Sequence, residues 1–87
     1  MGKYRVVLRK SVARDLRPIP NPDLRRILAA IESLSVEPRP SGAEKLSGQD
    51  RYRIRLGACR VIYEIHDGEV PVIVVKVGHR KDVHSHR

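Results

Sequence analysis

The chain has no phenylalanine and no tryptophan, three tyrosines, and one cysteine, Cys59, among its 87 residues. Without large aromatics the core must be assembled from Val, Ile and Leu, and the β-branched members of that set favour strands. A single cysteine excludes an internal disulfide and points to a reducing compartment. No apolar run approaches the ~18 residues of a membrane span. The opening MGKYRVVLRK also lacks the long apolar stretch of a signal peptide. A cytoplasmic protein with no membrane partner is expected. Aromatic faces are the usual stacking platform for single-stranded nucleic acid, so their scarcity argues against a free-standing, base-reading nuclease.

Positive charge is what the chain has in excess. Eighteen Lys and Arg against ten Asp and Glu give +8, with a pI near 10.4. That balance is the electrostatic footprint of nucleic-acid binding; the competing reading is a basic surface that meets an acidic protein. The length makes one domain, 1–87, with a polar tail from about residue 81. Such a chain buries roughly 60–65% of its unfolded surface.

The charge is ordered where RYRIRLGACRVIY runs from Arg51 to Tyr63. On an extended strand Arg51, Arg53 and Arg55 share one face, and Tyr52, Ile54 and Leu56 the other. Gly57-Ala58 turns the chain, and pairing Leu56 with Cys59 sets Arg55 opposite Arg60. Like charges directly opposite destabilise a sheet, so this face is read as built to meet an anion. Glu64 shares the outward parity of Arg60 and is expected to hold Arg60 as an ion-pair partner; a base role is chemically open. Tyr52, Tyr63 and Cys59 share the inward parity of Ile54, Val61 and Ile65 and are assigned to the core.

Elsewhere a strand is expected at 4–8, then a short helix over 12–17 capped by Ser11 and ended by Pro18. Asn21-Pro22-Asp23 is a helix start. Leu24, Ile27, Leu28, Ile31 and Leu34 then recur at helical spacing, giving a helix over 22–34. Residues 37–42, EPRPSG, form a loop. Strands follow at 51–56 and 59–66. Asp67-Gly68 makes a hairpin turn. The nearly continuous apolar run 70–77 reads as a central strand covered on both faces. The layout is β-α-α-β-β-β: an α+β, two-layer domain with a helical hairpin packed on a four-stranded, mostly antiparallel sheet. The arginine face looks away from the helices, rimmed by the 38–50 loop and the tail.

Pro40-Ser41-Gly42, Lys45-Leu46-Ser47-Gly48, Tyr52-Arg53-Ile54-Arg55, Arg60-Val61-Ile62-Tyr63 and Val77-Gly78-His79-Arg80-Lys81-Asp82-Val83 occur in that order. Together with the N-terminal Y-x-V and A-R-D-L, this series resembles the RelE/ParE superfamily of bacterial toxins over essentially the whole chain. The resemblance implies the toxin of a type II toxin–antitoxin pair. RelE-type members cut mRNA in the ribosomal A site; ParE-type members share the fold and poison DNA gyrase. The expected partners are a RelB-like antitoxin, the 70S ribosome with its mRNA, and operator DNA only through the antitoxin complex. The leading expectation is a ribosome-dependent endoribonuclease. A ParE-like gyrase inhibitor, or an inactive homologue acting as co-repressor, is the alternative.

Metal-free RNA cleavage needs a deprotonated 2′-hydroxyl, in-line attack, charge stabilisation at the phosphoryl oxygens and a proton for the leaving oxygen. Arg53, Arg55, Arg60 and Arg80 occupy the positions of the catalytic basic residues of RelE-type enzymes. Arg60 and Arg80 are assigned to the scissile phosphate. Arg53 and Arg55 grip the backbone and orient the hydroxyl. The best-studied nuclease branch has lysines where this chain has Arg53 and Arg55, and arginine does not give up its proton. His84 follows Val83 where a tyrosine is common, and is assigned the acid or base role. Arg51, Lys45 and Lys81 are read as RNA contacts. His79 is placed at the edge of the site, in RNA contact or in a structural role. No cofactor is expected, and the tail series His79, His84 and His86 is not read as a metal site.

Overall fold

The computed structural model describes residues 4–46, 50–66 and 72–79. Along the chain run β1 (Val6–Leu8), α1 (Lys10–Leu16), α2 (Asn21–Ser33), β2 (Glu44–Lys45), β3 (Arg51–Leu56), β4 (Cys59–Ile65) and β5 (Val72–His79). They build one five-stranded sheet in the order β1-β5-β4-β3-β2. Only β1 and β5 pair in parallel; the other pairs are antiparallel. The two-layer α+β class holds. The expected four strands become five because Glu44 and Lys45, read as loop, pair with Arg53 and Tyr52 along the edge of β3.

The helices form for the reasons their sequences carry, with shifted caps. In α2, Ile27 and Ile31 are buried and Leu28 stays exposed at the border of the apolar stripe. The cap position is Pro20, not Asn21, and its carbonyl accepts the Leu24 amide at 2.8 Å. Asn21 and Pro22 are thus the first two helical residues, where Pro has no amide to lose. Likewise α1 starts at Lys10, one turn position ahead of the expected Ser11 cap, with Arg9 at the cap and no side-chain bond there.

Inside, Val12, Ile19, Ile27, Ile31 and Leu34 from the helical layer meet Ile54, Val61, Tyr63, Ile65, Val72, Val74 and Val77 from the sheet. On β4 the alternation is clean: Cys59, Val61, Tyr63 and Ile65 are buried, with Arg60 exposed and Ile62 and Glu64 half-buried. The β5 run is less regular. Tyr63 pairs with Val74 and Ile62 with Lys76, so Val75 is an extra residue at a bulge. The bulge lets both Val74 and Val77 face the helices, which strict alternation forbids. Instead of being covered on both sides, β5 leaves Ile73 and Val75 only half-buried and Lys76 exposed. Beyond the end of β1, Asp15 of α1 accepts the Val77 amide at 3.2 Å and satisfies the otherwise open flank of β5.

One stack ties the 37–42 loop to the sheet. The Tyr63 hydroxyl donates to the Pro38 carbonyl at 2.7 Å, and burial pushes that phenol up to about 12. Tyr52 stacks on Tyr63 with centroids 5.8 Å apart. Arg39 lies over the Tyr52 ring and donates from Nε to its hydroxyl at 3.1 Å. The inward parity assigned to both tyrosines is therefore correct, although only Tyr63 is fully buried.

Candidate phosphate-binding face

The register of β3 and β4 sets the geometry of the open face. Arg51 lies opposite Glu64, Arg53 opposite Ile62, and Arg55 opposite Arg60. Directly opposed residues have Cα atoms about 4.5–5.5 Å apart and side chains on one face. Arg55 and Arg60 are thus neighbours on the side of the sheet away from the helices, and both are exposed. Arg60 in turn pairs with Gly78 of β5. A Cβ at Gly78 would lie 3.3 Å from Arg60 Nε and 3.6 Å from its Cγ. The missing side chain at 78 is what lets the arginine lie across the strand.

The two arginines nearer the start of β3 have different surroundings. Arg53 donates from Nη2 to Glu44 Oε1 at 2.6 Å and from Nε at 3.2 Å. Arg51 donates from Nε to Glu64 Oε2 at 2.8 Å, and His66 Nε2 lies 3.0 Å from Glu64 Oε1. The His66 hydrogen bond and then Arg51 hold the Glu64 carboxyl below its ordinary range. Arg53, first by its hydrogen bond and then by its charge, does the same to Glu44, and the charge of Arg55 adds a smaller effect. Glu64 is therefore an ion-pair partner as expected, but of Arg51 instead of Arg60. The cause is the register: Glu64 lies four positions along β4 from Arg60, about 13 Å at strand rise. Among the described residues neither Arg55 nor Arg60 has an ion-pair partner.

Lys45 pairs with Tyr52, so by parity it does not belong to the arginine row. His79 is 7% exposed and its Nε2 lies 3.2 Å from Asp23 Oδ2 on α2, a placement that fits the structural reading. Arg80, Lys81 and His84 lie outside the described residues. The sequence reading missed Glu44 and His66. Glu44 could have been found only by knowing that a two-residue strand forms there. His66 had a visible signal, two positions after an outward Glu in the expected 59–66 strand, although β4 ends at Ile65. With Asp50, Arg51 and Glu64 it lines an open depression of about 400 Å³ at the far end of the face.

This arrangement offers one guanidinium pair without a direct ion-pair partner among the described residues, and a flanking set of arginines already held by carboxylates. The pair suits an anion with oxygens pointing two ways, such as a phosphodiester.

Comparisons with known proteins find relatives over nearly the whole chain. The family described as the ParE toxin of the type II toxin–antitoxin system parDE matches residues 6–84. A relative named putative toxin RelE1, from Methanocaldococcus jannaschii, is 30% identical over 95% of this chain and 97% of its own length. Among solved structures, a chain of the archaeal RelE–RelB complex from Pyrococcus horikoshii is 32% identical, with a TM-score of 0.76 over 90% of this chain and 96% of that one. A chain of the toxin–antitoxin complex RelBE2 from Mycobacterium tuberculosis is 27% identical, with a TM-score of 0.78 over 90% and 99%.

Proposed function

The chain belongs to the ParE toxin family of type II toxin–antitoxin systems, within the RelE/ParE superfamily, and from that premise we propose that it cleaves messenger RNA on the ribosome. One observation carries this reading: Arg55 and Arg60 stand directly opposite each other without a direct ion-pair partner among the described residues. Two fixed positive charges that repel each other lose that penalty when a phosphodiester sits between them. The benefit is larger when negative charge builds on the phosphoryl oxygens in the transition state.

In the proposed step a 2′-hydroxyl attacks the adjacent phosphorus. Its proton leaves to a base, the bond to the 5′-oxygen breaks, and an acid protonates that oxygen. Arg60, joined by Arg80, stabilises the phosphorane charge, and Arg55 and Arg53 orient the backbone. His84 supplies the proton transfer that guanidinium cannot. With few aromatics to stack bases, the ribosome arranges the substrate. Arg51, Lys45 and Lys81 add electrostatic contact.

Both solved structures described above are of toxins in complex with antitoxins. A RelB-like antitoxin is the proposed partner here, an acidic segment of which covers Arg55 and Arg60. Its affinity should fall steeply between about 0.05 and 0.5 M salt. The second reading is gyrase inhibition, favoured by the ParE description of the matching family; the shared fold does not separate the two targets.

The deciding experiment maps mRNA ends on purified ribosomes with and without the protein. New ends carrying a 5′-hydroxyl, and a 2′,3′-cyclic phosphate or 3′-phosphate upstream, are expected. Intact mRNA with arrested replication in cells expressing the protein would move the assignment to gyrase.

A further inference from the structure

The helix side of the sheet brings together three side chains that are far apart in sequence. Asp23 stands in the first turn of α2, Cys59 opens β4, and His79 closes β5. Cys59 and His79 are paired across β4 and β5. A carboxylate oxygen, the thiol sulfur and an imidazole nitrogen lie within 4.8 Å of one another. Cys59 is 3% exposed and His79 7%, and Asp23 is half-buried.

We infer that Asp23, Cys59 and His79 form a binding site for a thiophilic divalent cation of the Zn²⁺ class. Sulfur, nitrogen and carboxylate oxygen are the donors such an ion takes, and three protein ligands leave a fourth position for water. A tetrahedral ion with bonds of about 2.0–2.3 Å holds its ligand atoms roughly 3.3–3.6 Å apart. The Asp23–His79 contact of 3.2 Å is already at that spacing. The atoms lie within 4.8 Å of one another, so the sulfur needs to close by up to roughly 1.2–1.5 Å, within reach of a χ1 adjustment.

Electrostatics decides whether a cation is tolerated in this place. The N-terminal end of α2 carries about half a positive charge, and Arg26 Nη1 comes within 3.0 Å of where a Cβ on Gly57 would stand, at the neighbouring turn. Binding of a divalent ion releases the thiol proton, and thiolate plus carboxylate then supply two negative charges. The occupied site is formally neutral, so the opposing partial charges change its affinity without excluding the ion. A nucleophilic role for the same three residues fits less well, because a 3% exposed thiol has no room for a substrate.

The placement links the ion to the arginine face. Cys59 immediately precedes Arg60, and His79 immediately precedes Arg80. An ion bridging 59 and 79 braces the backbone of both strands on the face opposite Arg60.

The test is titration of the full purified chain with Co²⁺ as a spectroscopic stand-in, then competition with Zn²⁺. Wild type should develop a thiolate-to-cobalt charge-transfer band that Zn²⁺ removes, with a rise in melting temperature on Zn²⁺ addition. Cys59→Ser should abolish the band. Asp23→Asn should weaken Zn²⁺ by more than the roughly 10–100-fold typical of losing an outer-shell partner. A chain with His66, His84 and His86 all changed to Asn should keep the band. No band on folded wild type overturns the inference without reference to any variant. So does a band that survives Cys59→Ser, or one lost in the triple His variant. None of these readouts involves RNA cleavage, so the metal site and the nuclease reading fail separately.

Discussion

Arg51 and Arg53 stand on the same strand and the same face as Arg55, yet the first two end on carboxylates and the third does not. Glu64 holds Arg51 and Glu44 holds Arg53, whereas Arg55 meets Arg60 across the strand pair. The difference teaches that a run of identical charges is not a uniform surface. One end is held by direct ion pairs of its own fold; the other keeps a repulsion that Glu44 offsets only at longer range and that an outside anion would relieve. The positive field at the Arg55–Arg60 end is therefore the stronger, although net charge along β3 is even.

The most damaging test of that contrast is Arg60→Ala. Losing a donor aimed at the developing charge should lower cleavage of ribosome-bound mRNA by about 10²–10³-fold. Because Arg60 opposes another cation, the melting temperature should hold or rise. Arg53→Ala should cost clearly less activity. Equal losses in the two variants would erase the distinction between the two ends.

Gly78→Ala moves the same guanidinium without removing it. The new methyl would press on Arg60 Nε at 3.3 Å, and the arginine must shift by a few tenths of an ångström. A loss of about tenfold in cleavage is expected, since displacements near 1 Å cost about 10². Unchanged activity with a normal fold would show that Arg60 does not use that resting position.

Glu44→Gln sharpens the comparison from the other side. Releasing Arg53 should raise affinity for single-stranded RNA a few-fold. It should also steepen the salt dependence by about 0.7 in log–log slope, the value for one added phosphate contact. An unaltered slope would mean that Arg53 stays engaged elsewhere.

The smallest effect is a pH dependence. Glu64 is held below its ordinary carboxylate range by His66 and Arg51. Its contribution is therefore present above the unfolded value, near about 4.3, and is lost as pH falls through the lowered folded value. Melts of wild type against Glu64→Gln should differ by no more than about 1 kcal/mol at pH 7. The two should converge in acid. A gap that persists below the lowered folded value would contradict the assigned pair.

Much of this was legible in the chain. Strand alternation placed Arg51, Arg53, Arg55 and Arg60 on one face, and the two-residue turn gave the Arg55–Arg60 register, because a strand has a period of two and a hairpin with a short loop has one alignment. The α2 stripe was legible for the same local reason. The bulge at Val75 was not, since an inserted residue shows only against its partner strand. The Glu44–Arg53 pair was hidden because a two-residue edge strand has too little pattern to announce itself, whereas the Glu64 partner was misassigned although the same hairpin register that opposes Arg55 to Arg60 already opposes Arg51 to Glu64.

By itself the order of residues determined the class of fold, the helical stripes and the sidedness of the charge, all of which follow from periodicities within one segment. Only the assembled sheet decided which arginines are neutralised and that Asp23, Cys59 and His79 share a site. Those outcomes depend on distances between atoms on separate strands and helices, and registers across the sheet set those distances where local spacing cannot.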